Sequence, residues 1–238
     1  MAVTLPTEPQ TRNALGITPM NARVFLAGTA KVGKTTLAGS WAPKETLILD
    51  TQHGTDLLEG EHLVNHIKNW TGFVENVDLL VRGGHRYKTV VIDLIDDVWM
   101  FADQHYAGKG KALATATDDY GRSAKNAEGS FRHAVGRLLA SSLGVWFITH
   151  AKPVEENGQT RYVPKLDGKV VTYVQGAAQF LFLAERIGPN RLLHTQPSEK
   201  FEAGSRVPLP DPMELDARAL YAEMAAGLNG KPNTEESK

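Results

Sequence analysis

An apolar stretch, Arg23–Ala27 (RVFLA), runs directly into Gly28-Thr29-Ala30-Lys31-Val32-Gly33-Lys34-Thr35, and then into Thr36-Leu37-Ala38, a plausible helix start. Few local patterns restrict a fold as much as this one. It matches G-x-x-x-x-G-K-[ST] in the strand–loop–helix context that gives the pattern its meaning. From average residue usage, a chance match arises in roughly one in a hundred chains of this length. The layout has a physical reason. Glycines let successive backbone N–H groups converge on phosphate oxygens, and a helix N-terminus adds its partial positive charge. Gly28, Thr29, Ala30, Lys31, Val32, Gly33, Lys34, Thr35 and Thr36 are therefore the expected phosphate-cradling residues. Lys34 is expected to reach the β- and γ-phosphates, and the Thr35 hydroxyl to ligate Mg²⁺. A glycine turn carrying an exposed lysine is the alternative.

A loop of this kind needs a sheet to hold it. Thr46–Asp50 (TLILD), Lys88–Asp93 (KTVVID), Gly144–His150 (GVWFITH), Ala178–Ala184 (AQFLFLA) and Arg191–Thr195 (RLLHT) read as further strands. Near-continuous apolar strands indicate a sheet buried on both faces, hence mainly parallel. Phe73, Val77, Leu80 and Val81 share helical spacing, as do Phe131, Val135, Leu138 and Leu139, and later Leu220, Met224 and Leu228. Alternating strands and helices predict an α/β layered fold with right-handed crossovers. At 238 residues one such domain is expected, over 21–228, with a proline-bearing arm at 1–20 and a frayed polar tail at 229–238.

Composition closes several routes. The absence of cysteine excludes disulfides, thiolate zinc sites and a Cys nucleophile together. The eight histidines show no H-E-x-x-H or comparable metal spacing. No apolar run approaches the ~20 residues needed to span a bilayer. The N-terminus lacks a basic start followed by an apolar core, so no secretory signal is visible. A cytoplasmic protein without a membrane partner is expected. Lys plus Arg (26) almost balances Asp plus Glu (27), which speaks against an extended electrostatic footprint on duplex DNA.

The strand Val90-Val91-Ile92-Asp93 delivers a carboxylate from a buried strand end, which suits a magnesium ligand. Strands also end on Asp as a turn former, and that reading stays open. Asp96 and Asp97 read as helix-start residues complementing the dipole, with a magnesium contact as the alternative. ATP and Mg²⁺ are the expected cofactors.

With these residues placed, the chain resembles the RecA-like branch of P-loop NTPases, and within it the small phage-type nucleotide-binding proteins that include single-strand annealing ATPases. The elements carrying the resemblance are GTAKVGKTT, LILDTQHG, TVVID, FITHAK and EAGSRVPLP, in that order, from about Arg23 to about Tyr221. Lys31 lies elsewhere than the extra lysine of the partition-ATPase variant, so that subfamily is set aside. The resemblance implies a mainly parallel central sheet flanked by helices. It also implies host-cytoplasmic localisation if the chain is phage-encoded. One departure stands out. Where relatives carry an acidic residue that activates water, this chain has Gln52, within Asp50-Thr51-Gln52-His53-Gly54. Glutamine can orient water but cannot take its proton, so ATP hydrolysis is expected to be slow or partner-dependent. Asp50 or another carboxylate acting as base is the alternative. His150 stands where the resemblance places a sensor of the γ-phosphate. Thr149 is its rival, and a strand-end histidine capping a turn is the structural alternative.

Two segments correspond to the mobile loops that face single-stranded DNA in such relatives. The first, His105 to Ser130, carries Lys109, Lys111, Arg122 and Lys125. The second follows His150 and carries Lys152, Arg161, Tyr162, Lys165 and Lys169 around the turn EENGQ, which reads as a hairpin. Basic residues with an aromatic neighbour suit single-strand binding, although Glu155 and Glu156 oppose it and solvated loops are the alternative. Arg206 and Lys200 are candidates for completing a neighbouring subunit's active site. The expected partners are single-stranded DNA, a single-strand-binding protein or another replication or recombination protein, and further copies of the chain. The rival functions are an ATPase serving a protein partner, as a helicase loader or packaging accessory, and a small-molecule kinase.

Overall fold

A computed structural model describes residues 16–107, 120–156, 158–166 and 168–230. The central strand β1 (Arg23–Gly28) carries the glycine loop into a short helix, α1 (Lys34–Gly39). Then follow β2 (Thr46–Asp50), β3 (Leu63–His66), α2 (Trp70–Arg82), β4 (Thr89–Asp93), α3 (Ile95–Tyr106) and α4 (Arg122–Leu139). The second half brings β5 (Gly144–Glu156), β6 (Gln159–Pro164), α5 (Gly168–Ala177), β7 (Phe180–Ile187), β8 (Asn190–His194), β9 (Gly204–Ser205), β10 (Met213–Glu214) and α6 (Ala217–Leu228).

These strands form one sheet in the order β10-β8-β7-β1-β5-β4-β2-β3, with β6 on β5 and β9 on β7. The run from β7 to β3 is parallel throughout. Among the named strands of the described residues, antiparallel pairing occurs in the β7–β8 and β5–β6 hairpins and at the two short strands β9 and β10. The fold is thus α/β with a mostly parallel sheet between helices, as the patterning predicts.

Period-two alternation explains why the sheet is apolar on both sides. From β1, β4 and β5, Phe25, Ala27, Val90, Ile92, Val145 and Phe147 enter a core beneath α2, α3, α4 and α5. Val24, Leu26, Val91, Trp146 and Ile148 enter the opposite core, with α1 and α6. The helices begin where the sequence offers caps. Asn69 accepts from the Gly72 amide at 2.9 Å to start α2, and Asp216 accepts from Ala219 at 2.8 Å to start α6. In α2, Phe73, Val77 and Leu80 are buried, whereas Val81 is 37% exposed because it lies a helical step beyond the core-facing stripe. Pro19–Asn21 forms a 3₁₀ turn, and buried Met20 accepts from the Thr89 hydroxyl at 2.7 Å. Pro19 and Met20 are therefore part of the packed body.

Two features depart from the sequence reading. His150 does not end its strand: β5 continues to Glu156 and turns back as β6, pairing Glu156 with Gln159. The turn EENGQ is thus the hairpin that its sequence suggests, but it grows out of the strand that carries His150 and is not a separate mobile loop. Beyond His150 the strand pairs β6 alone, so Pro153 sits on an edge, where a missing N–H is tolerated. Secondly, β3 was not anticipated, since Leu63–His66 ends on polar, exposed residues and carries no strand alternation.

Candidate nucleotide-binding site

Parallel strands bring their C-terminal ends to one edge, and there the chemistry-bearing residues meet. Gly28 is level with His150 on one side and Ala184 on the other, while Asp50 is level with Asp93. A cavity of about 430 Å³ lies over this edge, lined by the loop from Ala30 to Thr36, by Asp50, Gln52 and Gly54, and by Asp93, Leu94, His150 and Arg191. A larger depression of about 530 Å³ lies near Leu80, Arg137 and Leu143, at the opposite edge of the sheet, and shares none of these groups.

The loop glycines are required by geometry. A Cβ on Gly28 would stand 2.6 Å from the Ala184 carbonyl oxygen, so no larger residue fits between β1 and β7. Gly33 has φ +113°, a conformation that side chains resist. Lys31, at φ 60°, accepts left-handed backbone without being glycine. Helix α1 has only six residues, so its contribution is the N–H groups of a first turn rather than a long dipole. The Lys34 ammonium folds back to donate to the carbonyls of Gly28 and Thr29, both at 2.8 Å. Burial pushes its pKa down to about 8, against the pull of Asp93 and Asp96.

Asp93 accepts from the Thr35 hydroxyl at 2.7 Å and is almost wholly buried. Burial, aided by the Asp50 charge, pushes its carboxyl up to about 6, while the Thr35 hydrogen bond, Lys34 and His150 pull the other way. A buried carboxylate beside a hydroxyl is an oxygen donor set that a hard divalent cation accepts. Thr35 and Asp93 thus fit Mg²⁺.

Asp50 has a different role. Burial alone would raise its pKa, but hydrogen bonds from the Thr55 hydroxyl and amide and from the Gln52 and Gly54 amides hold it below the ordinary carboxylate range. A carboxylate so fully engaged anchors the turn and is a poor base. Gln52 is left as the side chain at the cavity wall. A Cβ on Gly54 would stand 3.5 Å from the Thr35 hydroxyl, which shows how close this turn lies to the Thr35–Asp93 pair. The turn is also tied to α3, since the Thr51 hydroxyl donates to Asp97 at 2.7 Å.

Asp96 and Asp97 sit in the first turn of α3, as the dipole argument expects, and both do more. Asp96 Oδ2 lies 3.6 Å from His150 Nδ1, and its buried Oδ1 has no hydrogen-bond partner among the described residues. Thr149 is fully buried and its hydroxyl donates to the His150 carbonyl at 3.3 Å, so of the two sensor candidates only His150 lines the cavity.

Arg191 was missed from sequence. Its guanidinium would stand 3.2 Å from a Cβ on Gly33, so it leans over the phosphate loop from β8. Nothing local separates it from Arg186, its cross-strand partner. Only closure of the sheet brings β8 near the loop.

The remaining candidates lie apart from the cavity. Arg206 is exposed, and its amide bonds to Gln179 at 3.2 Å, at the N-terminal end of β7 and hence the far edge of the sheet. It cannot reach its own chain's site. Arg122 and Lys125 are exposed on the first turn of α4. Lys109 and Lys111 lie outside the described residues. Arg161 is paired with Glu202 at 2.9 Å and Glu156 at 3.5 Å, and Tyr162 is half-buried against the core. Lys152 and Lys165 are exposed, and the Lys165 amide bonds to the His150 carbonyl at 2.7 Å.

A glycine loop closed by lysine, a hydroxyl–aspartate pair across the sheet edge, and a parallel sheet buried on both faces define a P-loop NTPase. A family model for an AAA domain matches residues 20–207, well over half of the sequence, and the chain belongs to that family of P-loop nucleotide-binding proteins. No curated protein matches the chain. Among the described residues, no helix is long and apolar enough to cross a membrane.

Proposed function

We propose that this chain is a RecA-like ATP-binding protein that acts on single-stranded DNA in phage-type recombination, by annealing or strand pairing, with ATP controlling DNA binding or assembly. The observation that carries the reading is the continuity of β5. One strand bears His150 in the nucleotide cavity and, six residues later, Glu156 at the tip of a hairpin bearing Lys152, Arg161 and Lys165. The helical pair supports it from the other side. Ala107 packs with Ala127, and Trp99 packs edge-on to Phe131 at 5.6 Å, so α3 and α4 run antiparallel. Their joined ends, with Arg122 and Lys125, therefore project beyond the sheet edge that carries the phosphate loop.

In this reading the backbone amides of the loop and Lys34 hold the phosphates, and Arg191 covers them from β8. Thr35 and Asp93 would hold Mg²⁺, which neutralises phosphate charge when bound. Gln52 orients water without taking its proton, which makes hydrolysis slow. His150 contacts the terminal phosphate on one side and Asp96 on the other, so occupancy alters the base of the hairpin. The switch operates only if ATP binds the DNA-competent state more tightly than the other.

The ion pairs of Arg161 with Glu156 and Glu202 favour a second reading. They leave the hairpin nearly neutral, as a surface for a protein partner would be, and a helicase-loader or packaging role follows from that. Single-strand DNA binding with ATP, with a non-hydrolysable analogue and with no nucleotide separates the two, with Lys34→Ala as control. Nucleotide-dependent binding that Lys34→Ala abolishes and salt weakens is expected. Binding indifferent to nucleotide and to Lys34 overturns the recombination reading. For hydrolysis, a slow wild-type rate that rises in Gln52→Glu is expected. A vigorous rate unchanged by the substitution removes Gln52 from its role.

A further inference from the structure

The turn after β2 does more than supply Gln52. His53 and Asp56 stand on it three residues apart, and β3 ends on His66, level with Asp50. The fold folds these separate positions together. His53 Nδ1 lies 3.3 Å from Asp56 Oδ2, and His66 Nε2 lies 3.5 Å from Asp56 Oδ1. The three ligand-type atoms all lie within 4.8 Å of one another. The two imidazole rings stack at 4.2 Å with their planes 21° apart.

These spacings are longer than a hydrogen bond and leave room for an ion between the groups. A charge-assisted N–H···O bond is about 2.7–2.9 Å long, and both contacts exceed it. Ligands about 2.0–2.1 Å from a tetrahedral zinc stand roughly 3.3 Å from each other; the two histidines stand at 3.3 and 3.5 Å from the two oxygens of Asp56, and all three groups lie within 4.8 Å. The other nitrogen of His66, Nδ1, faces Asp50 Oδ2 at 3.8 Å. A ligating histidine characteristically has a carboxylate behind its second nitrogen; here Asp50, whose Oδ2 already accepts from Thr55, acts on His66 through its charge and not through a hydrogen bond. Imidazole nitrogens select borderline transition metals over Mg²⁺, whose preference is oxygen.

We propose that His53, Asp56 and His66 form a binding site for a divalent transition-metal ion of the zinc class, at the rim of the nucleotide cavity and separate from the Thr35–Asp93 pair. Three protein ligands leave a coordination position open to water, and the exposure of all three side chains gives the ion direct access from solvent. The ion ties the turn carrying Gln52 and Gly54 to the end of β3. Its effect on the nucleotide site is therefore to fix the turn that holds Gln52, without contacting phosphate.

The test is titration of Co²⁺ into the nucleotide-free, untagged full chain in excess Mg²⁺, followed by visible d–d absorption and by competition with Zn²⁺. One equivalent of Co²⁺ is expected to give d–d bands in the wild type and equally in Thr35→Ala, and Zn²⁺ to abolish them. His66→Ala and the near-isosteric Asp56→Asn, with folding checked by circular dichroism, are each expected to weaken binding about tenfold or more. Absence of the bands in wild type, unchanged affinity in both ligand variants, or loss of the bands in Thr35→Ala overturns the proposal.

Discussion

Lys34 and Asp93 are each held where their own charge is disfavoured, and a nucleotide with its cation relieves both. At pH values between about 6 and 8 the folded protein keeps Asp93 ionised and Lys34 protonated, both against burial. Below about 6 Asp93 takes up a proton that must leave before a cation binds, and above about 8 Lys34 lacks the proton that phosphate needs. The rise in melting temperature on adding ATP with Mg²⁺ is therefore expected to peak between these values and shrink on both sides. Without nucleotide the linkage runs the other way. The raised Asp93 makes stability fall as pH rises from 3.8 to about 6, and the lowered Lys34 makes it rise from about 8 to 10.5. Each shift is worth on the order of a few kcal/mol. Arg191→Ala is expected to weaken ATP binding about tenfold, the value of a charge-assisted hydrogen bond of ~1.5 kcal/mol, with little change in melting temperature. Equilibrium binding and thermal unfolding measure the two. The phosphate loop and Asp93 are legible in sequence because their chemistry is local: a glycine spacing, and a strand that ends on a carboxylate. Arg191, the contact of Asp96 with His150 and the His53–Asp56–His66 group are not, since each arises only when distant strands align.

Strand β5 is the element through which the site and the hairpin communicate. Its first half is readable from sequence, because burial on both faces leaves an unbroken apolar run from Gly144 to Ile148. Its second half is legible only as a hairpin turn, because an edge hairpin has one partner and solvent on its faces, so nothing shows that Lys152–Glu156 continues the buried strand. Helix α4 shows the converse: Phe131, Val135 and Leu138 mark its core face plainly, while Arg122 and Lys125 follow no apolar period. The hairpin yields a prediction that separates the two functional readings. Replacing Glu156 and Glu202 together by Gln releases Arg161 from both ion pairs. If the hairpin grips single-stranded DNA, affinity rises and the salt dependence steepens by about 0.7 in log–log slope for one added phosphate contact. If the hairpin seats a protein, DNA affinity stays unchanged.

At the scale of the whole molecule, the α/β architecture was legible because alternating buried runs and helical periods repeat along the chain, and every central strand feeds two cores. Phe131 of α4 joins three helices over one core, packing against Trp70 of α2 and Trp99 of α3, and is fully buried. Phe131→Ala is expected to cost about 3–5 kcal/mol in a denaturant melt, and to lower nucleotide binding only through the fraction unfolded. The strand order has a consequence for synthesis. The phosphate loop leaves the ribosome before the strands that flank β1, since β5 and β7 begin at Gly144 and Phe180. The carbonyl that braces Gly28 belongs to Ala184. Pairings of such sequence separation form slowly, since the intervening chain must first be closed into a loop. A nascent chain that already contains the complete motif therefore has no cradle for ATP. Nucleotide capture therefore reports that the chain has been made at least as far as β7.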